Sequence, residues 1–237
     1  MDLSEKTAIF ELLKTTEIAN IELAFQLIAS QGQTVREFLR PLENWLRANV
    51  FLQQYLLSAD EKGENYWQEG YKKLFLLENF VISGQNRYNP LGLKLSKELI
   101  YLQNLRSFVW HYSPLSELVP ELGKLPHLEK IYIDHNALKT LPAEICNLRK
   151  LKILSLNDNQ LENLPENIGD LENLEFLYLH NNNLETLPVS IGRLKNLKQL
   201  SINNNPLKRE LLPLEAWEKS DLSAHIVKGL RRQLGFW

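Results

Sequence analysis

A few side chains in this sequence could do chemistry. His111, Asp134, His135 and His180 invite a metal-site reading, because imidazole and carboxylate are common metal ligands. Cys146, the one cysteine, is a possible nucleophile. Asp60–Glu61 and Glu11–Glu17 are carboxylate pairs, and KGLRRQ (228–233) is a basic tail that could touch a membrane or nucleic acid. Plainer readings compete with each. Cys146 has no histidine near it in LPAEICNLRK and reads as a small residue on a short helix. The carboxylates suit solvated helix faces, and the terminal cations suit a helix C-terminus. Glycines occur singly, so no phosphate-cradling loop is present.

The elements that position these residues follow from a repeat. Leu105, Leu128, Leu151, Leu174 and Leu197 are spaced by 23. The same step carries Phe108, Ile131, Leu154, Leu177 and Leu200, and then Trp110, Ile133, Leu156, Leu179 and Ile202. Leu95, Leu118, Leu141, Leu164 and Leu187 form another column, as do Leu99, Leu122, Ile145, Ile168 and Ile191. A period of this length signals a solenoid. Each repeat offers several large apolar anchors, worth about 1.5–3 kcal/mol apiece when buried. Ordering 23 backbones costs about 1–2 kcal/mol each. A single repeat therefore loses, whereas stacked repeats bury one another's faces.

The segment around Leu154 and Leu156 alternates in and out, which predicts a short strand. Every repeat runs the same way, so the strands must be parallel, and LPENIGDL returns as a helical or 3₁₀ turn. Asn136, Asn159, Asn182 and Asn205 share the column just after the strands. There the turning backbone would leave buried polar groups unpaired, and an amide can serve them with two donors and an acceptor. Ser113 takes this column first, so distorted geometry is expected beside Pro114, while Asn181 and Asn183 should face solvent.

LKILSLNDNQLENLPENIGDLEN (151–173) and LEFLYLHNNNLETLPVSIGRLKN (174–196) resemble leucine-rich repeats of the 23-residue LPxxI type. That is the Ras-group-related and Ras-suppressor-like class, which also occurs in bacteria. The resemblance covers Leu93 to about Leu207. It implies an α/β fold: a right-handed leucine-rich repeat solenoid with a parallel concave sheet and a stacked asparagine ladder. Some bacterial leucine-rich effectors carry a cysteine ubiquitin-ligase domain, but the flanks here contain no cysteine.

The flanks lack the 23-residue echo. Residues 1–90 read as a helical N-terminal domain docked on the first strand, with Gly32 as a helix C-cap, an interruption near Pro41, and a further helix over ENYWQEGYKKLFLLENFVIS (64–83). SGQNRYNPLG (83–92) is the junction, 91–207 the repeats, and 208–237 a C-terminal cap with a helix starting near Ser223. The 237 residues are 44% hydrophobic and 24% charged, a globular composition, and the net charge of -2 argues against a dedicated nucleic-acid binder. No window approaches 18 uninterrupted apolar residues. No secretory signal opens the chain, so a cytoplasmic protein is the simplest expectation; a mature form from which a signal had been removed stays open.

Four outward columns can be read from this frame. Ser107, Lys130, Ile153, Phe176 and Gln199 form the first; Val109, Tyr132, Ser155, Tyr178 and Ser201 the second. His111, Asp134, Asn157, His180 and Asn203 form the third; Tyr112, His135, Asp158, Asn181 and Asn204 the fourth. Column neighbours lie about 4.8 Å apart, so His111 and His180 cannot share a metal, and Asp134 and His135 should diverge. No metal and no cofactor is expected. The expected function is non-enzymatic: binding a protein or peptide through Tyr112, Lys130, Tyr132, Asp134, His135, Ile153, Phe176, Tyr178, His180 and Gln199, with neither nucleic acid nor membrane as partner. Alternatively, the helical domain makes the functional contact and the repeats are scaffold.

Overall fold

The computed structural model describes residues 3–13, 18–40, 68, 71, 75–83, 95, 97–220 and 222–234. The helices expected over 41–67 and the junction at 84–92 lie outside the described residues. Two compact units are present: residues 1–78 with 96–105, and residues 79–95 with 106–237.

The first unit is helical, with α1 (Leu3–Leu13), α2 (Ile18–Ser30) and the short α3 (Val35–Phe38). Ile9, Leu13, Ile21, Ala24, Phe25 and Ile28 recur at helical spacing and are buried. Gly32 ends α2 at φ 70, the left-handed conformation that favours glycine. Thr34 caps α3 reciprocally: its hydroxyl accepts the Glu37 N–H at 3.1 Å, and the Glu37 carboxylate accepts the Thr34 N–H at 3.1 Å. Hydrogen bonding to the carboxylate from the Thr34 backbone N–H first, and then from the Thr34 side chain, holds the Glu37 carboxyl below its usual range. Phe75 is central, packed 6.2 Å from Tyr71 and Tyr101 and 6.5 Å from Phe25.

The second unit is a six-stranded parallel sheet in sequence order. Its strands are β1 (Asn79–Ser83), β2 (Ser107–His111), β3 (Lys130–Tyr132), β4 (Ile153–Ser155), β5 (Phe176–Tyr178) and β6 (Gln199–Ser201). Register follows the repeat from Lys130↔Ile153 through Phe176↔Gln199. β1 departs from expectation, because its residues close the segment read as a helix. It alternates, with Phe80 buried and Val81 57% exposed, and Phe80 stacks 5.2 Å from Phe108. It therefore extends the sheet beyond β2. Asn79 pairs with Ser107, a step of 28 rather than 23, so the period could not reveal it.

Between strands the chain returns through short 3₁₀ turns, including Pro120–Lys124, Ala143–Asn147, Ile168–Asp170 and Val189–Arg193. At two positions these turns stack so closely that only glycine fits. A Cβ on Gly123 would lie 2.0 Å from the Glu144 carbonyl oxygen, and one on Gly169 would lie 1.9 Å from that of Ser190. Cys146 shares their column and is buried.

The asparagine ladder is formed. Asn159 accepts the Leu138 N–H at 3.1 Å and donates to Ile133 O at 2.7 Å and Leu156 O at 3.1 Å. Asn182 and Asn205 do the same one and two repeats on. The first turn keeps the left-handed residue, with Tyr112 at φ 53, but is locally distorted as expected: the Leu115 N–H turns to Ser113 O at 2.7 Å and reaches the Asn136 amide oxygen only at 3.4 Å. Asn136 still reaches back to this turn, donating to Trp110 O at 2.7 Å. Asn183 is exposed as expected, but Asn181 is half-buried in a second ladder. It donates to Asp158 at 2.6 Å and accepts from Asn204 at 2.7 Å.

Just before the strands a column of alternating charge runs Arg106, Glu129, Lys152, Glu175, Lys198. Its ion pairs are Arg106–Glu129 at 3.1 Å, Lys152–Glu129 at 2.8 Å and Lys198–Glu175 at 2.6 Å. The Lys152 ammonium lowers the Glu129 carboxyl's pKa, and Glu129 raises that of Lys152.

The far edge of the sheet is closed by α4 (Leu214–Glu218) and α5 (Ala224–Gln233), which begins after Ser223. Trp217, Ile226, Val227 and Leu230 are buried. The Gln233 amide accepts the Ile202 N–H at 3.1 Å and donates to Leu200 O at 3.0 Å. One side chain thus occupies edge positions that another strand would pair with.

Three outcomes follow for stability. Asn159→Ala leaves a buried N–H and C=O unpaired and should cost roughly 2–5 kcal/mol in chemical denaturation. Gly169→Ala should cost about 1–3 kcal/mol through overpacking. Gln233→Met should lower stability by about 1 kcal/mol and promote self-association, seen by light scattering.

Candidate functional site

The outward residues divide into a sheet face and a depression beside it. On the face, Lys130, Ile153, Phe176 and Gln199 are register neighbours along one row. Ile153 and Phe176 are half-buried, and Lys130 and Gln199 are exposed. In the next row Tyr132 and Tyr178 flank Ser155, which is 3% exposed. Phe176 and Tyr178 stack with centroids 6.2 Å apart, and the Lys198 ammonium lies 5.9 Å from the Phe176 centroid. Burial first, then the negative charges that Tyr178 and Asp134 can carry, pushes the Tyr132 phenol up. It stays protonated at neutral pH and can donate a hydrogen bond.

The depression lies where the strands end. It has a volume of about 340 Å³ and is lined by His111, Tyr112, Asp134, His135, Asn157, Asp158 and His180. The left-handed turn positions set part of its wall: Tyr112 and His135 have φ 53 and 57. Their rings stack 4.4 Å apart at 8°. Asp134 is half committed to the fold, its Oδ1 accepting from the Ser155 hydroxyl at 2.6 Å and the Asn157 N–H at 2.8 Å. Its Oδ2 stands 3.7 Å from His111 Nδ1. Asn157 repeats the pattern, accepting the His180 N–H at 3.1 Å. Asp158 gives Oδ1 to Asn181 and holds Oδ2 3.6 Å from His135 Nδ1 and 3.4 Å from His180 Nε2.

The structure thus brings Tyr112, Asp134, His135 and His180 together, apart from the row of Lys130, Ile153, Phe176 and Gln199. His111, weighed from sequence only as a metal ligand, also lines the depression, as do Asn157 and Asp158, which were not singled out from sequence. The 23-residue step could have found Asp158, because it follows His135 in the same column. Among the described residues, no three histidine, cysteine or acidic side chains are grouped so as to hold a metal ion. Burial, followed by the charge of Asp170, pushes the Cys146 thiol up to about 12, so it is not a thiolate at neutral pH. No described helix is long and apolar enough to cross a membrane.

Two family models match the chain: a leucine-rich repeat region over residues 144–232 and a leucine rich repeat over 103–161. No curated protein matches. Among solved structures, the leucine-rich repeat domain of the type III effector XopL is 24% identical with a TM-score of 0.50, covering 77% of this chain and 64% of that one. A Leptospira interrogans leucine-rich repeat protein is 33% identical with a TM-score of 0.47, over 60% of this chain. The chain spans only 32% of that protein's length. The Arabidopsis thaliana membrane receptor kinase GASSHO1/SCHENGEN3, solved with CASPARIAN STRIP INTEGRITY FACTOR 2, is 28% identical with a TM-score of 0.45, over 47% of this chain and 14% of its own. The parallel sheet, the 3₁₀ returns and the asparagine ladder are those of a leucine-rich repeat solenoid.

Proposed function

We propose that the chain is a non-enzymatic interaction module that binds a protein or peptide across the outward, concave face of its sheet. Leucine-rich repeats commonly mediate protein–protein interaction. The observation that carries the reading is the half-exposed set Tyr132, Ile153, Phe176 and Tyr178, presented side by side on register-paired strands. Aromatic rings with a polar handle and few rotatable bonds give large contact area at low entropic cost. The backbone beneath them is tied by the ladder, so ordering it on binding costs little.

The competing account is that these rings only stabilise the sheet through cross-strand packing. The two accounts separate experimentally. A partner is captured from the native organism with the full chain, and its affinity is compared with that of the Tyr132→Ala/Phe176→Ala/Tyr178→Ala variant. Central interface aromatics typically cost about 2 kcal/mol or more each on truncation, so affinity should fall at least 100-fold. An unchanged affinity, with only a lowered denaturation midpoint, would show that the rings serve the sheet alone.

A further inference from the structure

The left-handed turn column holds Tyr112, His135, Asp158, Asn181 and Asn204, at φ 53 to 57. Asp, Asn and His tolerate this conformation, whereas a bulky ring such as tyrosine there is strained. The last three form the side-chain ladder from Asp158 to Asn204. Tyr112 and His135 instead stack on each other and wall the depression. Tyr112 adds strain where an asparagine would have added none, and what the pair creates is a flat aromatic shelf at the rim of a pocket.

The charge of that pocket points to its occupant. Among the described residues that line it, Asp134 and Asp158 carry the fixed charges and none is a lysine or arginine. Each spends Oδ1 on the fold and keeps Oδ2 directed toward imidazole neighbours at 3.4–3.7 Å, beyond good hydrogen-bond length. The His111 Nδ1 atom is buried without a hydrogen-bond partner. Two carboxylate oxygens next to a stacked ring pair suit a planar cation. A guanidinium can lie on an aromatic face while its edge N–H groups reach carboxylates; an ammonium does only one of these well.

We infer that this depression receives an arginine side chain of the partner bound on the adjoining sheet face. The inference rests on the binding reading above but concerns separate residues. The test uses the full chain and follows the His135 and His180 imidazole resonances by NMR during titration with N-acetyl-arginine amide. N-acetyl-citrulline amide, which has the same outline without the charge, is the control. The arginine derivative should give saturable shifts at both histidines and the citrulline derivative none. Asp158→Asn, which keeps an oxygen for Asn181, should weaken the response at least tenfold. Tyr112→Asn should weaken it too, while its denaturation midpoint holds or rises because the turn is relieved. Equal responses to the two compounds, no response to arginine, or an unchanged response in Asp158→Asn would overturn the inference. Each of those results leaves the effect of Tyr132, Phe176 and Tyr178 on partner affinity as a separate measurement, so the two readings fail independently.

Discussion

Every coil of this solenoid must reverse direction inside its own core, and the reversal strips backbone N–H and C=O groups of their strand partners. The whole repeat array depends on those groups being paired. Asn136, Asn159, Asn182 and Asn205 meet the requirement by spanning coils: each amide oxygen takes an N–H from the preceding coil, and each amide nitrogen serves carbonyls of both coils. An unpaired buried group costs about 1–3 kcal/mol, comparable to a whole buried side chain. Leucine packing supplies the driving force, but it is non-directional. The amides fix where each coil turns, and thereby where each strand ends.

That fixed turn has consequences on the outer face. With the turn placed, the third and fourth outward columns fall at the strand ends in every coil. Their side chains then help pair backbone: Asp134 receives the Asn157 N–H, and Asn157 receives the His180 N–H. The first and second columns are released from such duties, because strand pairing already serves the backbone there. Tyr132, Ile153, Phe176 and Tyr178 occupy those columns, where backbone pairing places no demand on the side chain.

Much of this was legible in the sequence, because a repeated coil repeats its constraints. The core columns, the strands from β2 onward and the asparagine ladder all follow from one step of 23 residues. What breaks the step was invisible. β1 pairs at a step of 28, and its Phe80–Val81–Ile82 sits at the end of a stretch whose apolar residues also fit a helix. Gln233 closes the edge of β6 from more than thirty residues away. One more polar residue at the end of an amphipathic helix, directly after two arginines, gives no hint of that in sequence. Read along the chain, Asn181 is expected to face solvent. Its partners Asp158 and Asn204 are neighbours only across the coils.

The same logic isolates the depression. At the turn column the backbone requires a left-handed residue, and the fold is best served by aspartate or asparagine. Three of five coils comply and gain a ladder. In two adjacent coils a tyrosine and a histidine stand there instead, so the departure is local rather than scattered. A strained residue persists only where its surroundings hold it in place, and here those surroundings are a stacked ring pair beside two carboxylates. Compliance with the turn and departure from it thus mark different work within one column: the Asx residues tie coil to coil, and the aromatic pair shapes a surface.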